Sequence, residues 1–147
     1  MQNPTNKNKT NQIQQIEEGT QLNLDFSKLA KNGNGEMVLP VIVQHYQTKE
    51  VLILAYLNQE ALTKSIELSQ AVFYSTSRKQ IWHKGSTSGD FLILKEIRVN
   101  CEQNSLLFLV EPVKNGVCHT KDKLGNTRPT CYYRRLKTET GMLQFID

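Results

Sequence analysis

A chain of 147 residues with 38% apolar residues and a formal net charge of +4 has room for one domain around one modest core. No window approaches the roughly 20 apolar residues of a membrane-spanning helix, and the first residues hold no apolar run of signal-peptide length, so a cytosolic protein is expected. Three cysteines exclude a closed set of internal disulfides, and in a reducing compartment thiols are more often buried, catalytic or metal-bound.

Residues 1–20 are rich in Asn, Gln, Thr and Lys, with Ile13 and Ile16 as the buriable aliphatics beyond Met1. They are expected as a polar, disordered segment ahead of a single domain over residues 21–147. Residues 38–44 form a β-type run whose Pro40 argues for a strand start or a sheet edge. A polar turn at 47–50 leads into 51–56, so the pair reads as a hairpin. Asn58 as N-cap, Glu60 in the first turn, and Ala61, Leu62, Ser65, Ile66 and Leu68 at helical spacing predict a helix over 59–69. Residues 71–75, 91–99 and 105–110 read as strands, 84–89 as loop, 100–104 as a hairpin connection, and 131–135 as a short last strand. The expected class is α+β, a mostly antiparallel β domain with one clear helix. No alternating β-α rhythm or Gly-rich phosphate fingerprint points to a doubly wound sheet.

Cys101, Cys118 and Cys131 lie in polar or turn-like settings, whereas packing cysteines sit more naturally inside apolar runs. Three thiolates make a zinc shell with a fourth position open to water. Intervals of 17 and 13 positions match no ordinary zinc finger, so unconnected buried thiols stay open as the alternative. His119, next to Cys118, could move protons to or from a metal-bound water, or it is a solvent-facing loop histidine. The turn Asn100-Cys101-Glu102-Gln103-Asn104 is rich in oxygen donors for a hard cation, but only Glu102 is an acid, and Asn-rich turns also form for backbone reasons alone. Trp82-His83-Lys84-Gly85-Ser86-Thr87-Ser88-Gly89 suits a nucleotide, with Trp82 for the ring and Lys84, Ser86, Thr87 and Ser88 for phosphate or ribose. A polar hairpin loop with a half-buried Trp explains the same composition. Across residues 114–137 seven cations face only Asp122, a local excess of +6 that attracts phosphate on a small substrate or on nucleic acid.

Taken together, the Trp82–Gly89 stretch, Arg98-Val99-Asn100-Cys101-Glu102, Glu111-Pro112, Cys118-His119-Thr120 and Cys131-Tyr132-Tyr133-Arg134 resemble the phosphoribosyl-AMP cyclohydrolase family of histidine biosynthesis. Residues 51–58 with Glu60-Ala61-Leu62 resemble its early hairpin and helix, and the likeness covers roughly residues 38–135. The resemblance implies a cytoplasmic, intertwined homodimer that binds zinc through Cys101, Cys118 and Cys131, drawn from both subunits, and that uses magnesium. It also implies the reaction, hydrolytic opening of the adenine ring of 1-(5-phosphoribosyl)-AMP at the N1–C6 bond by zinc-activated water. His119 is then the candidate for the proton transfers, and Trp82, Lys84, Ser86, Thr87, Ser88 and Arg134 are the candidates for binding a substrate with two phosphates.

Two departures stand out. The family's magnesium turn usually carries aspartates where this chain has Asn100, Glu102 and Asn104, and the loop between Cys118 and Cys131 is longer than usual, an insertion a flexible loop absorbs cheaply. No carboxy-terminal extension is long enough for the pyrophosphohydrolase domain fused to some members, so the preceding step is expected from another polypeptide. Two rivals remain: a relative that keeps zinc but acts on another purine or amidine, and a nucleotide or nucleic-acid binding module using the cationic patch with Trp82, Tyr132 and Tyr133 as stacking surfaces.

Overall fold

The structure, a computed structural model, describes residues 4–27 and 37–147; the expectations for residues 1–3 and 28–36 fall outside it. Its centre is a four-stranded sheet in the order β2-β1-β6-β5. β1 (Leu39–His45) and β2 (Val51–Leu57) form the expected antiparallel hairpin, with Val41 opposite Ala55 and Val43 opposite Ile53. Pro40 pairs only toward β2, because β1's ladder with β6 (Leu106–Pro112) begins at Val41 opposite Leu106. Its missing donor is therefore never required, which is how a proline sits at the mouth of a central strand. The β1–β6 pair is parallel, so the sheet is mostly, not wholly, antiparallel, and the chain between the two strands is the long crossover that parallel pairing demands.

That crossover carries α2, which follows the polar helix at the amino terminus, α1 (Pro4–Glu18). α2 spans Gln59–Leu68, and Asn58 Oδ1 accepts from the Ala61 amide at 2.8 Å. Ser69, in left-handed backbone at φ 50°, ends the helix one residue before the expected limit. Ala61, Leu62 and Ser65 face inward. Ser65 Oγ lies 2.8 Å from Ala61 O and 2.9 Å from Val72 O and accepts from the Val72 amide, so this buried hydroxyl pins the helix to β3 (Val72–Ser75). β3 turns into β4 (Gln80–His83), with Phe73 opposite Trp82. β5 (Leu92–Val99) then pairs antiparallel with β6.

The inner faces of these elements close on Phe73 and Phe108, both fully buried, with Val41, Val43, Leu57, Leu92 and Val110 around them. Truncating either ring to Ala should cost about 3–5 kcal/mol.

Residues 4–18 form the helix α1, which Pro4 opens where a missing N–H is harmless, and one sequence expectation needs correction. The last strand does not run over 131–135. The Cys131 amide donates to Leu52 O at 2.8 Å and that of Tyr132 to Thr130 Oγ1 at 3.0 Å, so their donors are engaged outside a ladder. Pairing begins instead at β7 (Arg134–Lys137), whose partner β8 (Met142–Phe145) was not anticipated. β4 likewise occupies a stretch left unassigned.

Candidate active site

An open cleft of about 820 Å³ lies between β4, the loop that follows it and the segment carrying Cys118 and Cys131. Trp82, Lys84, Thr87, Ser88, Cys118, His119 and Cys131 all line it, so most of the residues singled out from sequence converge on one place. The loop after β4 folds back on itself at Gly85, whose φ of +96° and position 2.5 Å from Phe91 N, measured from where a Cβ would stand, leave no room for a side chain. This brings Thr87 and Ser88 to the same wall as Trp82.

The long loop from Cys118 to Cys131 is a closed structure. Lys121 bridges Thr127, Asp122 Oδ1 accepts from the Leu124 and Asn126 amides at 2.9 Å, and Arg128 O accepts from the amides of Val117 (3.0 Å) and Cys118 (2.9 Å). Residues 121–127 are thus looped out as a small hairpin, and the chain returns to Cys118 before reaching Cys131. Thr130 Oγ1 donates to Val51 O at 2.8 Å, which with the Cys131 amide fastens this segment to β2. Arg128 lies 4.0 Å over Tyr133, and its Nε donates to Asp147 at 2.5 Å.

The two thiols are coupled. Burial alone would raise Cys118, but the Thr120 hydroxyl, 3.0 Å from its sulfur, the Thr120 and His119 amides and the Cys131 thiol bring it below its ordinary value. Burial, then the charge of Cys118, push Cys131 up to about 12. The two shifts are opposite in direction, so the pair favours one negative charge over two. Lys84 supplies a neighbouring charge: it is buried, its Nζ donates to Asp90 O at 3.3 Å, and desolvation lowers it against the opposing pull of Asp90, Cys131 and Cys118. A pair of inward thiols beside a buried cation is a donor set for a soft divalent metal such as zinc.

Cys101 is not part of this cleft. It is exposed in the β5–β6 turn and lines a separate hollow with Ile16, Gly19, Gln21 and Leu22. Among the described residues no three His, Cys, Asp or Glu side chains of this one chain gather as a metal site. In the same turn Asn100 and Asn104 are bonded to each other, Nδ2 to Oδ1 at 2.7 Å, and Asn104 Nδ2 donates to Glu102 at 2.8 Å. The amide and carboxylate oxygens are committed to holding the turn.

Two other candidates fall outside the cleft. Ser86 is exposed, with its amide on His83 O, and Arg134 stands on β7, 5.2 Å over Tyr133. His83, one position from Trp82, points away to Gln70 at 2.7 Å. Sequence reasoning missed Arg78 and Asp90 as cleft residues. Arg78 stands 5.9 Å over the Trp82 ring; a Ser-Thr-Ser-Arg-Lys turn between two β-type runs could have placed it at the mouth. The cationic stretch is divided, with Lys114 and Lys121 in the cleft, Arg128 buried against Asp147, and Arg134, Arg135 and Lys137 on β7. No described helix is long and apolar enough to cross a membrane.

Residues 53–133 match the family model described as Phosphoribosyl-AMP cyclohydrolase, an interval that begins in β2 and ends just past Cys131. The phosphoribosyl-AMP cyclohydrolase of Clostridium beijerinckii is 44% identical over 113 residues, 77% of this chain and 92% of that protein. That of Methanosarcina acetivorans is 46% identical over 98 residues, 67% and 76% of the two chains. The histidine biosynthesis bifunctional protein HisIE of Aquifex aeolicus is 41% identical over 104 residues, which span 71% of this chain and 48% of that one. The matched interval contains the whole wall of the cleft from Ile53 to Cys131, and with it the chain belongs to the phosphoribosyl-AMP cyclohydrolase family.

Proposed function

We propose that this chain hydrolyses the N1–C6 bond of the adenine ring in 1-(5-phosphoribosyl)-AMP, a step of L-histidine biosynthesis, as a cytoplasmic homodimer. The observation that carries the reading is the convergence of Trp82, Lys84, Cys118, His119 and Cys131 on one cleft within the interval shared with the family.

Cys118 and Cys131 would hold zinc together with Cys101 of the partner subunit, since Cys101 opens onto a different hollow of its own chain. Zinc, when bound, lowers the pKa of water in its open position and so supplies a nucleophile near neutral pH. Trp82 walls the purine. Lys114, whose Nζ reaches Ser88 O at 3.4 Å, and Arg78 stand at the rim where the two phosphates would lie. His119 is exposed at the cleft edge and is free to take the proton of the attacking water and return one to N1 as the N1–C6 bond breaks. Ser86 and Arg134 are no longer favoured as substrate contacts within a single chain.

For magnesium the donors are poor. Asn100 and Asn104 are neutral and tied to each other and to Glu102, so the ion would enter with the substrate's phosphates. The same observation is the motive for the second reading, a family relative acting on another purine or amidine.

The test is turnover of phosphoribosyl-AMP by the purified chain, with metal measured on the same sample. Turnover with zinc present is expected. Salt-sensitive oligonucleotide binding without turnover would replace the enzyme by a nucleic-acid binding module.

A further inference from the structure

The Cys101 turn is covered by the amino-terminal segment, and one side chain joins them. Gln103 is 6% exposed in a turn whose neighbours Cys101 and Glu102 are open to solvent. It adopts left-handed backbone at φ 53°, a region non-glycine residues enter only when something else holds them there. What holds it is the end of α1 and the segment that follows it. Gln103 Nε2 donates to Gln21 O at 3.0 Å and to Ile16 O at 3.4 Å, the Asn23 amide donates to Gln103 Oε1, and the Asp25 amide donates to Gln103 O at 2.8 Å. Both amide hydrogens and the amide oxygen of this side chain are therefore used on one partner segment. Beyond these bonds Leu24 and Phe26 pack against the core, so the segment is anchored on its far side as well. The strap and the turn border an open hollow of about 220 Å³ that Cys101 itself lines, with Ile16, Gly19, Leu22 and Val99.

We infer that Gln103 is a positioning residue: it latches residues 16–25 onto the β5–β6 turn and so fixes the direction in which the Cys101 thiol is presented to a zinc ion shared with a partner subunit. The inference rests on the reading of Cys101 as a ligand. It adds that the amino-terminal segment, which lies outside the interval matched to the family, is part of the ligand scaffold of this chain. The physical reason is local. Cys101 sits two residues from Gln103 on a turn at the end of the β5–β6 ladder whose Asn100–Asn104 bonds span only the turn, and Gln103 adds the bonds from the turn to residues 16–25. A neutral amide latch also holds unchanged across the working pH range, as a carboxylate or imidazole latch would not.

The test uses the full-length chain and two variants, Gln103→Gly and Gln103→Glu. Glycine suits the backbone at φ 53° and keeps the turn while removing the latch; glutamate keeps the shape but turns two donors into acceptors facing Ile16 O and Gln21 O. Three quantities are read: thermal stability, hydrogen exchange at the Asn23 and Asp25 amides, and zinc affinity by competition with a chromophoric chelator. Gln103→Gly is expected to expose the Asn23 amide and both variants to weaken zinc by about 10- to 100-fold, while the Asp25 amide, bonded to the main-chain oxygen of residue 103, reports whether the turn itself stays in place. Wild-type zinc affinity in a Gln103→Gly protein whose Asn23 amide exchanges freely would overturn the inference, and so would an Asn23 amide that stays protected. A wild-type chain that turns over without zinc would instead remove the ligand reading beneath it, and the two failures are told apart by the wild-type sample alone.

Discussion

The three thiols of this chain sit in two corners built on opposite plans. Cys118 and Cys131 are carried by main-chain bonds to Arg128 and to β2, lie on the cleft, and bias each other's ionisation beside a buried lysine. Cys101 is exposed on a turn that holds itself together with amides and is joined to the amino-terminal segment by Gln103. The first corner pairs two thiols inside a cleft; the second presents one thiol on an exposed turn. Under the proposed function the two corners would be completed only across two subunits.

The sharpest way to break this contrast is complementation. Cys101→Ser and Cys131→Ser should each lose zinc and activity, yet subunits mixed and allowed to exchange should regain about a quarter of wild-type turnover, because each mixed dimer holds one intact site. No recovery would mean that all three thiols serve one chain. Next in size, His119→Ala should lower kcat by about 10²- to 10⁴-fold with zinc content unchanged; loss of zinc as well would make His119 a ligand instead of a proton carrier. Thr130→Val should cost about 1–3 kcal/mol in chemical denaturation, because it leaves the Tyr132 amide and Val51 carbonyl without their partner. It should weaken the Cys131 corner while sparing the strap. The smallest effect belongs to the Asn100–Asn104 turn. Asn104→Ala should change activity by less than about tenfold, below the range of a true support to a metal ligand, and activity titrated with magnesium after chelation should show no tight site in the free enzyme.

The β1–β2 hairpin, α2 and the β5–β6 pair were legible in the sequence because their signals are local: alternation, polar turns, and Asn58 ahead of a helical period. β4 was not, since Gln-Ile-Trp-His is four residues of mixed character, and α1 was not, since a helix with almost no apolar face looks the same as a polar coil. The cleft was half legible. Trp82, Lys84, Cys118, His119 and Cys131 carry their chemistry in their names and spacing, whereas Arg78 and Asp90 join them only through the β3–β4 turn and the Gly85 fold-back. Gln103 is the clearest case of what was hidden. In sequence it is one more amide in a polar turn, and only burial distinguishes it from Asn100 and Asn104.

The parallel pairing of β1 with β6 has a kinetic meaning. Val41 meets Leu106 only after the whole crossover through α2, β3, β4 and β5 has been brought round, and such non-local contacts incur loop-closure entropy before they return any stability. The turn bearing Cys101 leads directly into β6, and the bond from Cys131 to Leu52 needs β2 in place beside β1. Both thiol corners are therefore expected to mature late in folding, so a metal bound there would secure the fold without having guided it.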